Sequence, residues 1–369
     1  MIKIAFFLPF LGGGGAERVC LTLAEGFLNR GMEVDFVLAR KTGQLLKEVP
    51  MEAGVVDLSA RRTINALLPL AAYLRREKPF ALISAPDHAN LVAIWAKLLT
   101  SNQTKVLISN HIFLSISIRN TRKIQEKIYP LLLHLFYRQA DALVAVSRGA
   151  ADDMARIARI PRERIRTIYN PFPLAKISRQ GSEPPSHPWF APGEPPVILA
   201  AGRLSAQKDY PTLLRAFASV RKSRPARMVI LGEGEELPRL LALADELGIR
   251  TDIDLPGFLD HPYPLMACCR AFVLSSAWEG FGNVLVEALA CGAQVVSTDC
   301  PSGPAEILEG GKYGRLVPVG DFAALAHAIE DALDHPFPVE ALKGRAQDFS
   351  SETAVRAYLQ VLGLSPNDH

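Results

Sequence analysis

Residues 271–297 contain the pattern that most restricts the fold of this chain. They comprise a buried strand, a glycine-bracketed turn, a short helix and a second buried strand, at 271–276, 279–282, 283–291 and 294–297. Such a unit places its turn at the carboxyl end of a parallel strand, where open α/β sheets bind their ligands. The pattern therefore predicts a parallel α/β domain with a ligand-binding turn at 279–282.

Two carboxylates mark this unit. Glu279 lies in the turn, and Glu287 follows eight residues later, about two helical turns away, so both can face one crevice. Between them, the backbone N–H groups of Phe281, Gly282 and Asn283 begin a helix, which suits an anion. Carboxylates flanking an anion site favour a nucleotide sugar, because they can accept hydrogen bonds from its hydroxyl groups. The alternative is that Glu279 is a solvated turn residue and Glu287 a helix charge favoured by the dipole.

Length and composition indicate a globular protein of two or three domains. The chain has 369 residues, of which 49% are apolar and 21% charged. No apolar run reaches the roughly 18 residues that span a bilayer, and the amino terminus lacks the features of a signal peptide. We therefore expect a cytoplasmic protein. The five cysteines form no Cys-x-x-Cys pair, so the spacing indicates neither a disulfide framework nor a zinc site.

Charge is distributed unevenly along the chain. Residues 1–180 carry 26 Lys and Arg against 14 Asp and Glu, whereas the remainder carries 15 against 24. This asymmetry predicts two domains with different partners. The basic half suits an anionic partner such as a membrane, a lipid diphosphate or a nucleic acid.

A glycine-rich loop follows the first predicted strand. Gly12–Gly15 precede a helix predicted over 16–29, which is the layout of a loop that approaches phosphate. The dinucleotide fingerprint is absent, because Glu17 and Arg18 stand where its third glycine would be, and the second strand ends in Arg40 without an acidic residue. The alternative is a merely tight turn.

Strands and helices alternate through the rest of the first half, with helices predicted over 65–78 and 89–99. This alternation predicts a doubly wound parallel sheet. His111 stands just past the carboxyl end of the strand K-V-L-I-S, at the ligand-binding edge. A structural loop histidine is the alternative.

Residues 119–137 combine a basic start with an apolar continuation. The basic residues of this segment are Arg119, Arg122, Lys123 and Lys127. The pattern fits a basic amphipathic segment at a membrane surface or, equally, a buried helix with a charged beginning. Pro130 predicts a break or kink.

Composition also predicts the domain boundaries. Seven prolines between 173 and 196 indicate a linker at 176–195. This linker would join a first domain, 1–175, to a second domain, 196–350. A last helix within 351–369 could cross back to the first domain.

The second domain begins with a buried strand that delivers Gly202 and Arg203, and Lys208 follows five residues after Arg203. Two cations beside the carboxyl end of a strand match a diphosphate. Solvated surface cations are the alternative.

Four motifs in this order resemble glycosyltransferase family 4, a group of retaining enzymes with the GT-B fold. They are G-G-G-G-A-E-R-V, S-N-H, G-R-L-S-A-Q-K-D and, most specifically, E-G-F-G-N-V-L-V-E. The resemblance covers nearly the whole chain. It implies two Rossmann-like, doubly wound α/β domains that face a central cleft. The domain at 1–175 would lie on the acceptor side, and the domain at 196–350 would bind the nucleotide sugar.

The resemblance also implies roles for matching positions. Arg203 and Lys208 would hold the donor diphosphate and stabilise the departing nucleotide without a metal, and Glu287 would accept hydrogen bonds from the ribose. Glu279 and His111 would contact the donor sugar. Backbone at Gly14 and Gly15 would approach the phosphates, backbone N–H groups at Phe281, Gly282 and Asn283 would lie beside the sugar, and the nucleobase would lie near Phe258.

The implied reaction is transfer of a hexose or N-acetylhexosamine from a UDP-sugar to a lipid-linked or cell-surface glycan, with retention of configuration. The phrase S-T-D-C-P-S-G-P-A-E-I-L is similar to bacterial members of this kind. The expected partners are a nucleotide sugar, a glycan or polyprenyl-diphosphate-linked acceptor and an anionic membrane surface, with no nucleic acid and no cofactor. We therefore expect a cytoplasmic protein that is peripheral on the inner face of the membrane.

Three other functions compete with this one. They are a UDP-sugar epimerase of related fold, a catalytically silent GT-B binding subunit, and a nicotinamide-dependent oxidoreductase. The failed glycine spacing and the missing acidic residue disfavour the oxidoreductase.

Overall fold

The computed structural model describes residues 1–100, 102–119 and 128–365. The chain divides into two compact units. Residues 1–172 and 351–369 form the first, and residues 173–350 form the second. Both are α/β, as the alternating pattern predicted.

The first unit is built on a seven-stranded sheet whose strands all run parallel. Its strands are β1 Lys3–Leu8, β2 Glu33–Leu38, β3 Gly54–Asp57, β4 Ala81–Ser84, β5 Lys105–Asn110, β6 Ala142–Ala145 and β7 Ile165–Thr167. Their order in the sheet is β3-β2-β1-β4-β5-β6-β7. The order reverses between β1 and β4, as in doubly wound folds.

Helices connect these strands and bury both faces of the sheet. They are α1 Gly15–Leu28, α2 Leu67–Glu77, α3 Asp87–Leu98, α4 Leu114–Arg119, α5 Tyr129–Phe136 and α6 Arg148–Ala158. Alternate residues of β1 enter different cores: Ala5 and Phe7 pack in one, whereas Ile4, Phe6 and Leu8 pack in the other. Burial on both faces explains why the strands are continuous apolar runs.

The second unit repeats this design with six parallel strands. Its strands are β8 Val197–Ala201, β9 Arg227–Leu231, β10 Ile253–Gly257, β11 Ala271–Leu274, β12 Val295–Thr298 and β13 Arg315–Val317. They lie in the order β10-β9-β8-β11-β12-β13, so the order reverses between β8 and β11. The predicted doubly wound fold is therefore confirmed in both units.

The helices of the second unit include one in the stretch predicted to be a linker. They are α7 Leu174–Gly181, α8 Tyr210–Ser223, α9 Leu237–Glu246, α10 Tyr263–Cys268, α11 Asn283–Cys291, α12 Pro304–Ile307, α13 Phe322–Asp334 and α14 Val339–Ala346. The expectation of irregular chain throughout 176–195 was wrong at its start, because α7 packs against α10 and α11 and buries Ile177. The prolines of the predicted linker all lie outside α7.

The last helix, α15 Ser351–Leu362, belongs to the first unit. It packs against α1 and buries Tyr358 and Leu359 in the core that contains β1. Close approach of the two helices depends on Gly26, since a Cβ added there would lie 2.4 Å from a methyl carbon of Val355. Carbonyl oxygen Leu362 O, at the end of α15, accepts a 2.6 Å hydrogen bond from Lys105 Nζ.

Part of the predicted membrane-surface segment lies outside the described residues. This applies to 120–127, including Arg122, Lys123 and Lys127, and to the side chain of Arg119. The described continuation forms α5, with Pro130 in its first turn, where proline is compatible with a helix. Among the described residues, no helix has both the length and the apolar content needed to cross a membrane.

We expect Gly26→Ala to destabilise the first unit, because the added methyl group collides with Val355 and must push α15 away from α1. Overpacking of this kind costs about 1–3 kcal/mol. Gly344→Ala is the matched control: Gly344 is also helical, nothing lies within 4 Å of its added Cβ, and the change should stabilise α14 by about 0.5–1 kcal/mol. Thermal unfolding measures both, and a Gly26→Ala protein as stable as wild type would contradict the tight contact.

Candidate active site

The second unit brings two distant loops together where its strand order reverses. Strands β8 and β11 are neighbours in the sheet, so the loops that follow them leave the same edge side by side. Backbone and side-chain hydrogen bonds join the two loops: Ala277 N donates to Gln207 O at 2.8 Å, and Ser275 Oγ donates to Lys208 O at 2.7 Å. The first loop carries Arg203 and Lys208, and the second carries Glu279.

Lys208 and Glu279 form an ion pair in this position. Lys208 Nζ lies 2.6 Å from Glu279 Oε1. The same carboxylate oxygen accepts a 2.6 Å hydrogen bond from Ser276 Oγ, and Gln207 Nε2 lies 3.5 Å from Oε2. Gln207 is in turn anchored to Trp278 O at 2.9 Å. Glu279 is thus held by one cation and two neutral donors.

Burial gives this pair its chemical character. Glu279 is 7% exposed, and the Lys208 side chain is 14% exposed. Two charges withdrawn from water are stable only when paired and hydrogen-bonded. The alternative in which Glu279 is a solvated turn residue is therefore wrong.

The turn after Glu279 is packed against a second loop from β12. A Cβ on Gly303 would lie 1.7 Å from Phe281 O, so only glycine allows the two backbones to approach this closely. Ser302 Oγ donates a 2.8 Å hydrogen bond to Gly280 O. Gly282 adopts φ +97° immediately before α11, a conformation that disfavours other residues. These contacts fix the direction in which α11 begins.

Helix α11 starts at Asn283, as predicted, and presents the positive end of its dipole to the turn. Phe281 itself is a core residue, 2% exposed and edge-on to Phe349 at 5.6 Å, so its backbone is the part suited to a ligand. Glu287 lies half-buried on α11, one turn before Cys291. Burial, and secondarily the charge of Glu287, raises the pKa of the Cys291 thiol to about 12.

The remaining predicted donor residues lie at the same edge of this sheet. Arg203 is exposed, two residues beyond β8. Phe258 follows β10 directly and is 53% exposed, which is unusual for a large aromatic side chain. Hydrogen bonds link the intervening strand ends, from Gly202 N to Leu231 O at 2.9 Å and from Gly232 N to Gly257 O at 2.8 Å.

In the first unit, His111 lies directly after β5, as predicted. Its Nε2 lies 2.9 Å from Ser109 Oγ. Its Nδ1 is buried and has no hydrogen-bond partner among the described residues. Burial lowers the pKa of His111 to about 4, so the imidazole is neutral at neutral pH.

The glycine loop of the first unit has a packing role. Gly13 has φ +113°, and a Cβ there would lie 2.1 Å from Gln44 Nε2. A Cβ added to Gly14 would lie 2.4 Å from a carboxylate oxygen of Glu17. This carboxylate therefore covers Gly14, the residue that precedes α1. An anion at this helix start would have to displace Glu17.

The predicted site residues therefore divide between the two units. Lys208 and Glu279 are in direct contact, whereas His111 and the pair Gly14 and Gly15 belong to the first unit. The sequence analysis missed the side chains that orient Glu279, Ser276 and Gln207. Ser276 could have been suspected, because it ends the buried run three residues before Glu279.

Comparison with known proteins identifies two sequence relatives and one solved structure of similar fold. A Campylobacter jejuni protein named N-acetylgalactosamine-N,N'-diacetylbacillosaminyl-diphospho-undecaprenol 4-alpha-N-acetylgalactosaminyltransferase is 29% identical over 94% of each chain. The lipopolysaccharide core biosynthesis glycosyltransferase LpsE of Rhizobium meliloti is 28% identical over 99% of this chain and 100% of its own. Anabaena HepE, solved in complex with UDP, superposes with a TM-score of 0.79 at 21% identity, covering 98% of this chain and 100% of that one.

The structural likeness confirms the predicted GT-B fold. Two family models cover most of the chain: residues 13–176 match the model described as Glycosyltransferase Family 4, and residues 186–349 match the one described as glycosyl transferases group 1. Both models describe glycosyltransferases, which argues against the oxidoreductase alternative. The chain belongs to the glycosyltransferases of family 4, with a group 1 domain in its second half.

Proposed function

We propose that this glycosyltransferase moves a hexose or N-acetylhexosamine from a UDP-sugar to a lipid-linked or cell-surface glycan, with retention of configuration. The observation that carries the proposal is the buried pair of Lys208 and Glu279 at the strand-order reversal of the second unit. A cation and a carboxylate side by side offer a donor for phosphate oxygens and an acceptor for sugar hydroxyls. A nucleotide sugar carries both groups.

The donor diphosphate would be bound by Arg203, Lys208 and the start of α11. Exposed Arg203 can reach a ligand without losing a partner among the described residues. Glu287, on the first turns of α11, would accept hydrogen bonds from the ribose, and exposed Phe258 would stack on the base. These roles follow the family resemblance, and burial and position support them.

Catalysis would consist mainly of stabilising charge on the departing nucleotide. As the glycosidic bond breaks, negative charge grows on the diphosphate, where Arg203 and Lys208 would be placed to counter it. We propose that these cations suffice without a metal ion. The acceptor hydroxyl would attack from the face that the nucleotide leaves, which retains the configuration.

The acceptor is proposed from the relatives. The Campylobacter jejuni protein is named for a diphospho-undecaprenol acceptor, and the Rhizobium meliloti protein for lipopolysaccharide core synthesis. Both names point to glycans carried on membrane lipids. We propose the same acceptor class here, which requires the enzyme to work at the inner membrane surface.

The outer face of α5 supports such membrane contact. Ile128, Leu131 and Leu135 are 51%, 56% and 52% exposed, and their spacing places them on one side of the helix. The basic residues of 119–127 come immediately before them in the chain. Positive charge beside exposed apolar side chains is typical of segments that bind anionic membranes.

Isothermal calorimetry of UDP, GDP and ADP, each with EDTA in place of metal, tests the donor site. We expect selective UDP binding, and we expect Glu287→Ala and Arg203→Ala to weaken it at least about tenfold, because each loses a charged hydrogen bond of about 1.5–3 kcal/mol. Arg250→Ala is the control, since Arg250 is exposed in the same unit outside the predicted site.

Unchanged UDP affinity in both variants would contradict the donor-site assignment. Binding of UDP that requires magnesium would contradict metal independence. Preference for GDP or ADP would keep the transferase and replace the donor. Absence of binding by all three would favour the catalytically silent subunit.

Glu279→Gln should separate sugar recognition from nucleotide binding. The amide keeps the size of the side chain but removes its charge and leaves Lys208 without its anionic partner, so we expect UDP to bind at least as tightly as in the wild type and transfer to fall at least about tenfold. Transfer is measured as UDP released in the presence of acceptor; UDP-sugar epimerisation without acceptor would instead support the epimerase. A variant with full transfer activity would remove Glu279 from the sugar site.

Neutralising the basic residues of 119–127 should lower co-sedimentation with anionic liposomes, since each cation near such a surface contributes about 1 kcal/mol. Leu131→Gln with Leu135→Gln should lower it further by removing apolar contact. Met51→Gln is the control, because Met51 is 98% exposed in the same unit but lies far from this segment in sequence. Equal sedimentation of all variants would rule out this segment as the membrane contact.

A further inference from the structure

A chain of three hydrogen-bonded side chains runs from the C-terminal helix to His111. Tyr358 on α15 is 1% exposed, and its hydroxyl lies 2.9 Å from Ser109 Oγ. Ser109, at 1% exposure, lies on β5, and its hydroxyl oxygen is also 2.9 Å from His111 Nε2. All three residues belong to the first unit, although 249 positions separate Ser109 from Tyr358.

The direction of these hydrogen bonds decides which ring nitrogen of His111 carries the proton. A neutral imidazole has one N–H donor and one acceptor nitrogen. Burial keeps the ring neutral by lowering the pKa of His111 to about 4, and it also raises the pKa of Tyr358, so the phenol stays protonated. The chain therefore holds three protons, one on each side chain, and two hydrogen bonds.

If Tyr358 donates to Ser109 and Ser109 donates to Nε2, one group remains unpaired, the N–H at Nδ1. If the direction is reversed, two groups remain unpaired, the Tyr358 hydroxyl proton and the Nδ1 lone pair. If both Tyr358 and Nε2 donate to Ser109, the Ser109 proton and Nδ1 remain unpaired. Ser109 is the one hydrogen-bond partner of the Tyr358 hydroxyl within the described parts of the chain. Because buried unpaired polar groups are unfavourable, the first arrangement is preferred.

We infer that Ser109, oriented by Tyr358 of the C-terminal helix, holds His111 in the tautomer that carries its proton on Nδ1. A substrate oxygen would then meet a hydrogen-bond donor at Nδ1 once the atoms that cover this nitrogen move aside. His111 cannot accept a proton at Nδ1, so it is not a general base at that atom. The identity of this oxygen, a sugar oxygen of the donor, rests on the proposed function, whereas the tautomer does not.

Nitrogen NMR of the full-length protein labelled with 15N-histidine tests the tautomer directly. Protonated and unprotonated ring nitrogens resonate at well-separated frequencies, and His111→Gln identifies the signals among the eight histidines. In the wild type we expect a protonated Nδ1 and an unprotonated Nε2 at pH 7. The opposite pattern would overturn the inference without reference to any enzymatic activity.

Variants of Ser109 test its positioning role. Ser109→Ala removes the donor to Nε2, so we expect a substantial population of the tautomer protonated at Nε2, whereas Ser109→Thr keeps a hydroxyl and should restore the wild-type pattern. Tyr358→Phe removes the hydroxyl that orients Ser109, so we expect part of the His111 population to shift to the tautomer protonated at Nε2. Tyr73→Phe is the matched control for loss of a buried tyrosine hydroxyl, which here bonds Asp35 at 2.6 Å in the same unit. An unchanged tautomer in Ser109→Ala would overturn the role of Ser109.

The effect of Ser109 on catalysis is measured in a separate experiment. If the proposed transfer is observed, Ser109→Ala should lower kcat by about fivefold, the size of one neutral hydrogen bond, with a smaller change in KM for the donor. Ser109→Thr should recover most of this loss. A wild-type Nδ1–H tautomer in a protein without transfer activity would refute the proposed function and leave the inference standing.

Discussion

Parallel pairing of strands is the constraint on which the rest of this molecule depends. Because every strand pair in both sheets is parallel, the loops that carry chemistry all leave from the carboxyl edges. Pairing of β8 with β11 places Lys208 beside Glu279 although 71 residues separate them. The buried ion pair is thus a consequence of strand order, and the close approach of Gly303 to Phe281 fixes it further.

The ion pair also determines what a ligand must supply. Breaking a buried pair is costly unless each partner finds a new one of suitable charge. A ligand that draws Lys208 away must therefore present an anion, and it must give Glu279 hydrogen-bond donors in return. Ser276 and Gln207 also bind the carboxylate, so its orientation does not depend on Lys208 alone. Under the proposed function, a nucleotide sugar meets both requirements.

Local sequence was sufficient to predict what depends on local pattern. Buried strands, the start of α11 at Asn283 and the position of His111 all follow from apolar runs and glycines, and the structure has them. The prediction of a linker over 176–195 was wrong at its start, because amphipathic α7 occupies the first residues of this segment. The high proline content of the remaining residues hid the helical pattern of α7. Contacts made by folding could not be predicted: Glu17 over Gly14 depends on a side-chain rotamer, and Tyr358 reaches Ser109 from the far end of the chain.

The two units use the same topology for different chemistry. At the strand-order reversal of the second unit, Lys208 and Glu279 are buried as one ion pair, which under the proposed function serves an anionic leaving group. At the carboxyl edge of β5, the first unit instead holds a neutral hydrogen-bonded chain of Ser109, His111 and Tyr358. A neutral ring with a fixed proton can bind a sugar oxygen without repelling or protonating it. Burial lowers the pKa of His111 to about 4, so this edge of the first unit carries no positive charge from the imidazole at neutral pH.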